Sequence, residues 1–69
     1  MDTKAMGERI QIAREERSMT QRDLANVIGC TPQHISAIER GNVGVSFDVT
    51  FKLCEVLEIT PDKLFDFRD

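Results

Sequence analysis

Long apolar runs are absent from the sequence. No segment approaches the roughly 18 consecutive apolar residues of a membrane-spanning helix. Residues 1–4 also lack the basic-then-apolar pattern of a signal peptide. We therefore expect no membrane segment and a cytoplasmic location.

Residue types suited to metal binding or catalysis are scarce. His34 is the only histidine, no glycine-rich phosphate loop is present, and no acid pair has an evident cleft. Cys30 and Cys54 have no CxxC spacing and no neighbouring histidine, and each falls at an apolar helical position. We expect buried, reduced thiols, with a metal or disulfide role as the less favoured alternative. No cofactor, metal site or enzymatic activity is predicted.

An excess of positive charge is also absent. The 69 residues carry nine Lys and Arg against twelve Asp and Glu, a net charge of −3, which argues against a strongly electrostatic nucleic-acid binder. Residues 1–41 hold six bases and six acids, whereas residues 42–69 hold three bases and six acids. The acidity therefore belongs to the carboxy-terminal part.

Apolar residues recur at helical intervals along the chain. They make up 41% of the sequence, no segment alternates as a strand does, and the length allows one domain with one small core. The pattern predicts an all-α domain over residues 1–69. Its five helices cover about residues 3–17, two turns ending at Gly29, residues 32–40, residues 47–57 and a short segment after Thr60-Pro61.

The second and third predicted helices form a tight pair over about residues 21–40. Ala25 is small enough to lie at the crossing point, and Gly29 permits a sharp left-handed stop. Thr31 caps the next helix, and Pro32 suits its first turn. The third helix then turns Ile35 and Ile38 inward. Its remaining side chains form an outward face without a structural duty: Gln33, His34, Ser36, Ala37 and Arg40.

The sequence resembles the lambda-repressor-like helix-turn-helix regulators, also called the Cro/repressor type or XRE family. The resemblance rests on REERSMTQRDLANVIGCTPQHISAIERG, residues 14–41, and on LCEVLEITPDKLF, residues 53–65. It covers nearly the whole chain and implies a compact five-helix DNA-binding domain. In that family the later helix of the pair lies in the major groove, and the earlier one crosses the phosphates.

The resemblance also implies roles for individual residues. Gln33 is the strongest candidate for a base contact, because its amide can bond adenine through two hydrogen bonds. The full set of implied base contacts is Gln33, His34, Ala37 and Ser36. The implied contacts to the DNA backbone are Gln21, Arg22, Thr31, Arg40 and Asn42. Arg14 and Glu39 would form a structural ion pair between the first helix and the recognition helix. For His34, a solvated position in the first turn is an equal alternative.

These features predict a sequence-specific transcriptional regulator that binds a double-stranded DNA operator. A homodimer is expected, because one recognition helix reads only a few base pairs. The apolar side chains of the fourth helix cover more than one face. We therefore regard Phe51, Val56 and Phe67 as a candidate dimer surface, with additional core as the simpler interpretation.

The sequence departs from the family pattern at two places. The loop after Gly41 reads Asn42-Val43-Gly44-Val45 and lacks the Lys or Arg often found there. Glu58 replaces the Gly usual after the fourth helix, which implies local strain. The base-poor loop and the acidic balance keep open a protein-interaction module, such as an antitoxin-like or anti-repressor partner with weak DNA affinity.

Overall fold

The structure, a computed structural model, describes residues 3–65, with the exception of the Phe65 side chain. Over this range the chain forms five helices and no strand. They are α1 (Thr3–Glu16), α2 (Gln21–Ile28), α3 (Pro32–Glu39), α4 (Phe47–Leu57) and α5 (Pro61–Phe65). The predicted all-α fold is confirmed, and the predicted ends of α1 and α3 lie one residue too late.

One apolar core holds the helices together. α3 packs against α1 and α2, α4 contacts α1, α2 and α5, and α5 also contacts α1. Each large aliphatic side chain that is fully buried contributes roughly 1.5–3 kcal/mol, so the inner face of α3 is firmly held. The largest fully buried side chains are Met6, Ile10, Leu24, Ile35, Ile38, Leu53, Leu57 and Leu64.

Local hydrogen bonds fix where α2 and α3 begin. The Thr20 hydroxyl accepts a bond from the Asp23 amide at 3.0 Å, and the Thr20 amide donates to the Asp23 carboxylate at 2.9 Å. These two bonds form a capping box and lower the pKa of Asp23. Gly29 ends α2 at φ 90°, and the Thr31 hydroxyl then accepts from the His34 amide at 3.1 Å. The predicted turn chemistry of the two-helix unit is confirmed.

Glycine allows α1 to approach the carboxy-terminal end of α3 closely. A Cβ atom on Gly7 would lie 2.6 Å from the carbonyl oxygen of Glu39 and would also overlap that of Ile38. A Cβ atom on Gly41, which has φ 77°, would lie 2.6 Å from the Lys4 Cα atom. The Thr3 hydroxyl donates to the Gly41 carbonyl at 3.1 Å. The amino-terminal turns of α1 therefore abut the end of α3.

The outward side chains of α4 show that part of the prediction for this helix is wrong. Phe51 is 63% exposed, so its interpretation as additional core is wrong. Phe47 is 83% exposed and stacks on Phe51 with ring centroids 6.4 Å apart. Val56 is half-buried against the core of its own chain. The third member of the candidate dimer surface, Phe67, lies outside the described residues.

The end of α4 combines a strained residue with a long-range cap. Glu58 has φ 54°, a left-handed conformation that disfavours side chains, as its replacement of Gly predicted. Arg17 donates from Nε to the Leu57 carbonyl oxygen at 2.8 Å, 40 positions away in sequence. That bond satisfies one of the free carbonyls at the end of the helix.

Cys30 and Cys54 are free thiols and are half-buried against the core rather than fully buried. Burial raises the pKa of both thiols. A raised pKa keeps a thiol protonated near neutral pH, which lowers its reactivity. Both cysteines therefore contribute mainly to packing.

Candidate nucleic-acid interface

The outward face of α3 is polar and accessible. Gln33 and His34 are exposed in its first turn, Ala37 and Ser36 are half-buried, and Arg40 is exposed at its end. Positions 33, 37 and 40 fall on one side of a helix. Because the side chain of Ala37 is small, a binding partner can approach the helix axis closely between Gln33 and Arg40.

An ion pair beneath this face joins α3 to α1. The Arg14 guanidinium donates to both Glu39 carboxylate oxygens, from Nε to Oε2 at 2.7 Å and from Nη2 to Oε1 at 3.1 Å. Both residues are buried, and Arg14 also donates from Nη1 to the Met19 carbonyl at 2.7 Å. The hydrogen bond with Glu39 raises the pKa of Arg14. The two hydrogen bonds fix the relative orientation of the two side chains and also pair their opposite charges.

Gln21 extends this ion pair to α2. Its side-chain Nε2 donates to Glu39 Oε1 at 3.0 Å, across 18 positions of sequence. Gln21 is the first residue of α2 and is half-buried. The Glu39 carboxylate thus accepts hydrogen bonds from α1 and from α2 while it belongs to α3. Sequence reasoning placed Gln21 and Glu39 individually but gave no signal for the bond between them.

The other candidate backbone contacts surround the polar face of α3. Arg22, Thr31, Arg40 and Asn42 are all exposed. The Thr31 hydroxyl already accepts the capping bond, yet its own O–H can still donate. The Asn42 amide donates to the Ala37 carbonyl at 3.0 Å, which holds the loop against the end of α3. The loop itself contributes no cation, since residues 41–46 contain no Lys or Arg.

Two other features, a cluster of metal-binding side chains and a membrane-spanning helix, are absent from the part of the chain that the structure describes. No group of three or more His, Cys, Asp or Glu side chains within residues 3–65 lies close enough together to hold a metal ion. Across the same residues, no helix has the length and apolar character needed to cross a bilayer.

A short two-helix unit that displays a polar helix face on a five-helix core defines a helix-turn-helix DNA-binding domain. The model of the helix-turn-helix family matches residues 10–64. The chain belongs to this family of transcriptional regulators, and within it to the XRE type.

Three similar proteins span almost the same length as this chain. The chain is 30% identical over 64 residues to an uncharacterized HTH-type transcriptional regulator of Methanocaldococcus jannaschii, covering 93% of this chain and 97% of the relative. It is 31% identical to the restriction-modification controller protein C.AhdI from Aeromonas hydrophila, with a TM-score of 0.85 and coverage of 93% and 97% of the two chains. The P22 c2 repressor, solved in complex with a synthetic operator, is 30% identical with a TM-score of 0.82 and coverage of 86% and 89%.

Proposed function

We propose that the protein is a sequence-specific transcriptional regulator that inserts α3 into the major groove of an operator. One observation carries this proposal. The polar face of α3 is exposed, while the opposite face of the same helix is buried in the core. Gln33 is the principal base-reading residue, because its amide both donates and accepts. His34, Ser36 and Ala37 complete the base contacts, with Ala37 limited to packing on a thymine methyl group.

Contacts to the phosphates would set the register of α3 in the groove. We assign them to Gln21 and Arg22 at the start of α2, to Thr31 at the start of α3, and to Arg40 and Asn42 at its end. Arg22, Thr31, Arg40 and Asn42 are exposed, and Gln21 is half-buried. Such contacts position a protein on the duplex without reading its sequence.

A homodimer would give the protein enough contact to bind specifically. A two-fold dimer places its second recognition helix about 34 Å away, one turn of DNA further on. The exposed ring of Phe51, stacked on that of Phe47, supports a dimer surface on α4. Val56 and Phe67 complete the proposed surface.

One similar structure supports binding to an operator, because the P22 c2 repressor was solved in complex with a synthetic operator. The similarity to C.AhdI, a restriction-modification controller protein, supports a regulatory role. By extension, we propose that this chain controls transcription from a palindromic site. We assign it no catalytic activity, and we place it in the cytoplasm, where it would reach DNA.

A second candidate function is a protein-interaction module with weak DNA affinity. The cation-free loop after Gly41 and the net charge of −3 favour it. So does the pair of exposed aromatic rings on α4, because large exposed apolar side chains mark contact surfaces.

Selection of bound duplexes from random DNA, repeated at two salt concentrations, tests the regulator. The wild type should enrich one palindromic site. Gln33→Ala should weaken binding to that site by roughly 5- to 150-fold for each half-site, the value of one base contact of about 1–3 kcal/mol. Gln11→Ala is the matched control, because Gln11 is an exposed glutamine on α1. Sequence-independent binding, or no binding at low salt, would favour the interaction module.

A further inference from the structure

The Glu39 carboxylate is the meeting point of three helices. It is 5% exposed and accepts two hydrogen bonds from Arg14 and one from Gln21. An ionised carboxylate can only accept hydrogen bonds. The nitrogen end of the Gln21 amide must therefore face Glu39, which fixes the orientation of that amide.

One hydrogen of the Gln21 amide remains available for a second acceptor. A primary amide nitrogen carries two hydrogens, and the 3.0 Å bond to Glu39 Oε1 engages one of them. Gln21 is half-buried, so part of its side chain faces solvent at the start of α2. The fixed orientation therefore presents a donor, rather than the amide oxygen alone, to an anion that approaches α2.

The charge on Glu39 would oppose an approaching phosphate if it stood alone. Arg14 neutralises it through two hydrogen bonds of 2.7 and 3.1 Å inside the protein. The amide can therefore be held by a carboxylate without strong repulsion between that carboxylate and the DNA. This arrangement requires all three side chains.

We propose that Glu39, anchored by Arg14, is a positioning residue for DNA binding. It holds the Gln21 amide so that its second N–H donates to one DNA phosphate while α3 occupies the groove. This inference rests on the proposed function and adds a role for the ion pair beyond stability. Because Glu39 is the last residue of α3, the same carboxylate keeps the phosphate contact of α2 in register with the recognition helix.

The test measures one phosphate at a time. In the duplex obtained by selection, each phosphate near α2 is replaced in turn by an uncharged methylphosphonate, and affinity is measured by fluorescence anisotropy. The variants are Gln21→Met, which keeps the side-chain length but removes the amide, and Glu39→Gln. Glu15→Gln is the matched control, because Glu15 also lies near Arg14, at 3.8 Å, but is exposed and accepts a hydrogen bond from Gln11 at 3.4 Å.

For the wild type, one methylphosphonate position should weaken binding by about tenfold, as expected for loss of a hydrogen bond to a charged group. Gln21→Met and Glu39→Gln should bind the modified and unmodified duplexes with nearly equal affinity. Glu15→Gln should keep the wild-type tenfold difference. If folded Glu39→Gln also keeps it while Gln21→Met loses it, the positioning role is refuted and the regulator stands. If the wild type selects no DNA site, the proposed function itself fails.

A second measurement uses only the wild type, in case Glu39→Gln does not fold. The two Nε2 protons of Gln21 are followed by NMR, with Gln21→Met used to assign them. On addition of the duplex, one proton should shift downfield while its partner keeps its chemical shift. The shift should be absent with the methylphosphonate duplex. Movement of both protons would show that Gln21 leaves Glu39 on binding, which would overturn the proposal.

Discussion

Replacing Gly7 with alanine tests how tightly α1 is packed on the recognition helix. Intrinsic helix propensity favours alanine over glycine by about 1 kcal/mol. The structure argues for the opposite result. The new Cβ would lie 2.6 Å from the Glu39 carbonyl oxygen and would also overlap the Ile38 carbonyl oxygen, whereas ordinary contact begins at 3.4 Å. Both oxygens belong to the backbone, so neither can move aside as a flexible side chain could. Overpacking of this kind costs about 1–3 kcal/mol, so we expect a net loss of roughly 1 kcal/mol.

Urea denaturation, followed by circular dichroism, measures the free energy of unfolding for this variant. Gly44→Ala is the control, because a Cβ at Gly44 meets nothing within 4 Å and its φ is not positive. We expect that control to remain within about 0.5 kcal/mol of the wild type. Gly7→Ala should also weaken operator binding, since any shift of α1 pushes on the end of α3. A variant at least as stable as the wild type would refute the close-packing argument.

Three further predictions concern α2 and α4. Glu58→Gly should raise the unfolding free energy by about 1 kcal/mol in urea denaturation, because φ 54° penalises a side chain; an unchanged midpoint would contradict the strain. Asp23 has a lowered pKa, so its contribution to stability is present above its ordinary pKa of about 3.9 and is lost as pH falls through the folded value. Asp23→Asn should therefore be less stable than the wild type at pH 7, with the difference vanishing in strong acid. Phe51→Ser should shift sedimentation toward the monomer, whereas Ile12→Ser, which changes a 55% exposed side chain on α1, should not.

The elements that could be predicted are those with local signals. A capping residue lies within three positions of the amide it satisfies, so Thr31 marks the start of α3 from sequence alone. Gly29 marks the end of α2 because φ 90° is a property of one residue. Apolar periodicity then identifies the inner faces, as Ile35 and Ile38 show. The two-helix unit is composed of such local features, so the sequence predicts where its helices begin.

The contacts between distant residues could not be predicted in this way. Helix propensity describes Gly7 only as a residue that weakens α1. Its close packing against the backbone of α3, about 30 positions later, has no signal in the local sequence. The bond from Gln21 to Glu39 likewise depends on how two helices cross. On α4, Phe51 is exposed while Thr50 is buried, because the packing angle rather than hydrophobicity decides which face is turned inward. Periodicity does not determine that angle when apolar residues cover several faces.

Salt dependence offers a test of how a chain of net charge −3 could hold DNA. Several cations in the described part of the chain are already engaged within the protein, among them Arg14 with Glu39, Arg17 with the Leu57 carbonyl, and Lys52 with the Ile28 carbonyl. Among the proposed backbone contacts only Arg22 and Arg40 carry charge. With a slope of about −0.9 per neutralised phosphate, a dimer using both should give about −3.6 in a plot of log affinity against log salt.

Anisotropy titrations between about 50 and 200 mM salt measure that slope. Arg40→Gln should reduce its magnitude by about 1 per half-site. Gln21→Met should lower the affinity at every salt concentration without changing the slope, because a neutral amide releases no counterion. Lys52→Gln is the control and should leave the slope unchanged. A slope near zero in the wild type, or one unaffected by Arg40→Gln, would mean that these arginines do not contact phosphates, and the assignment of the interface would be wrong.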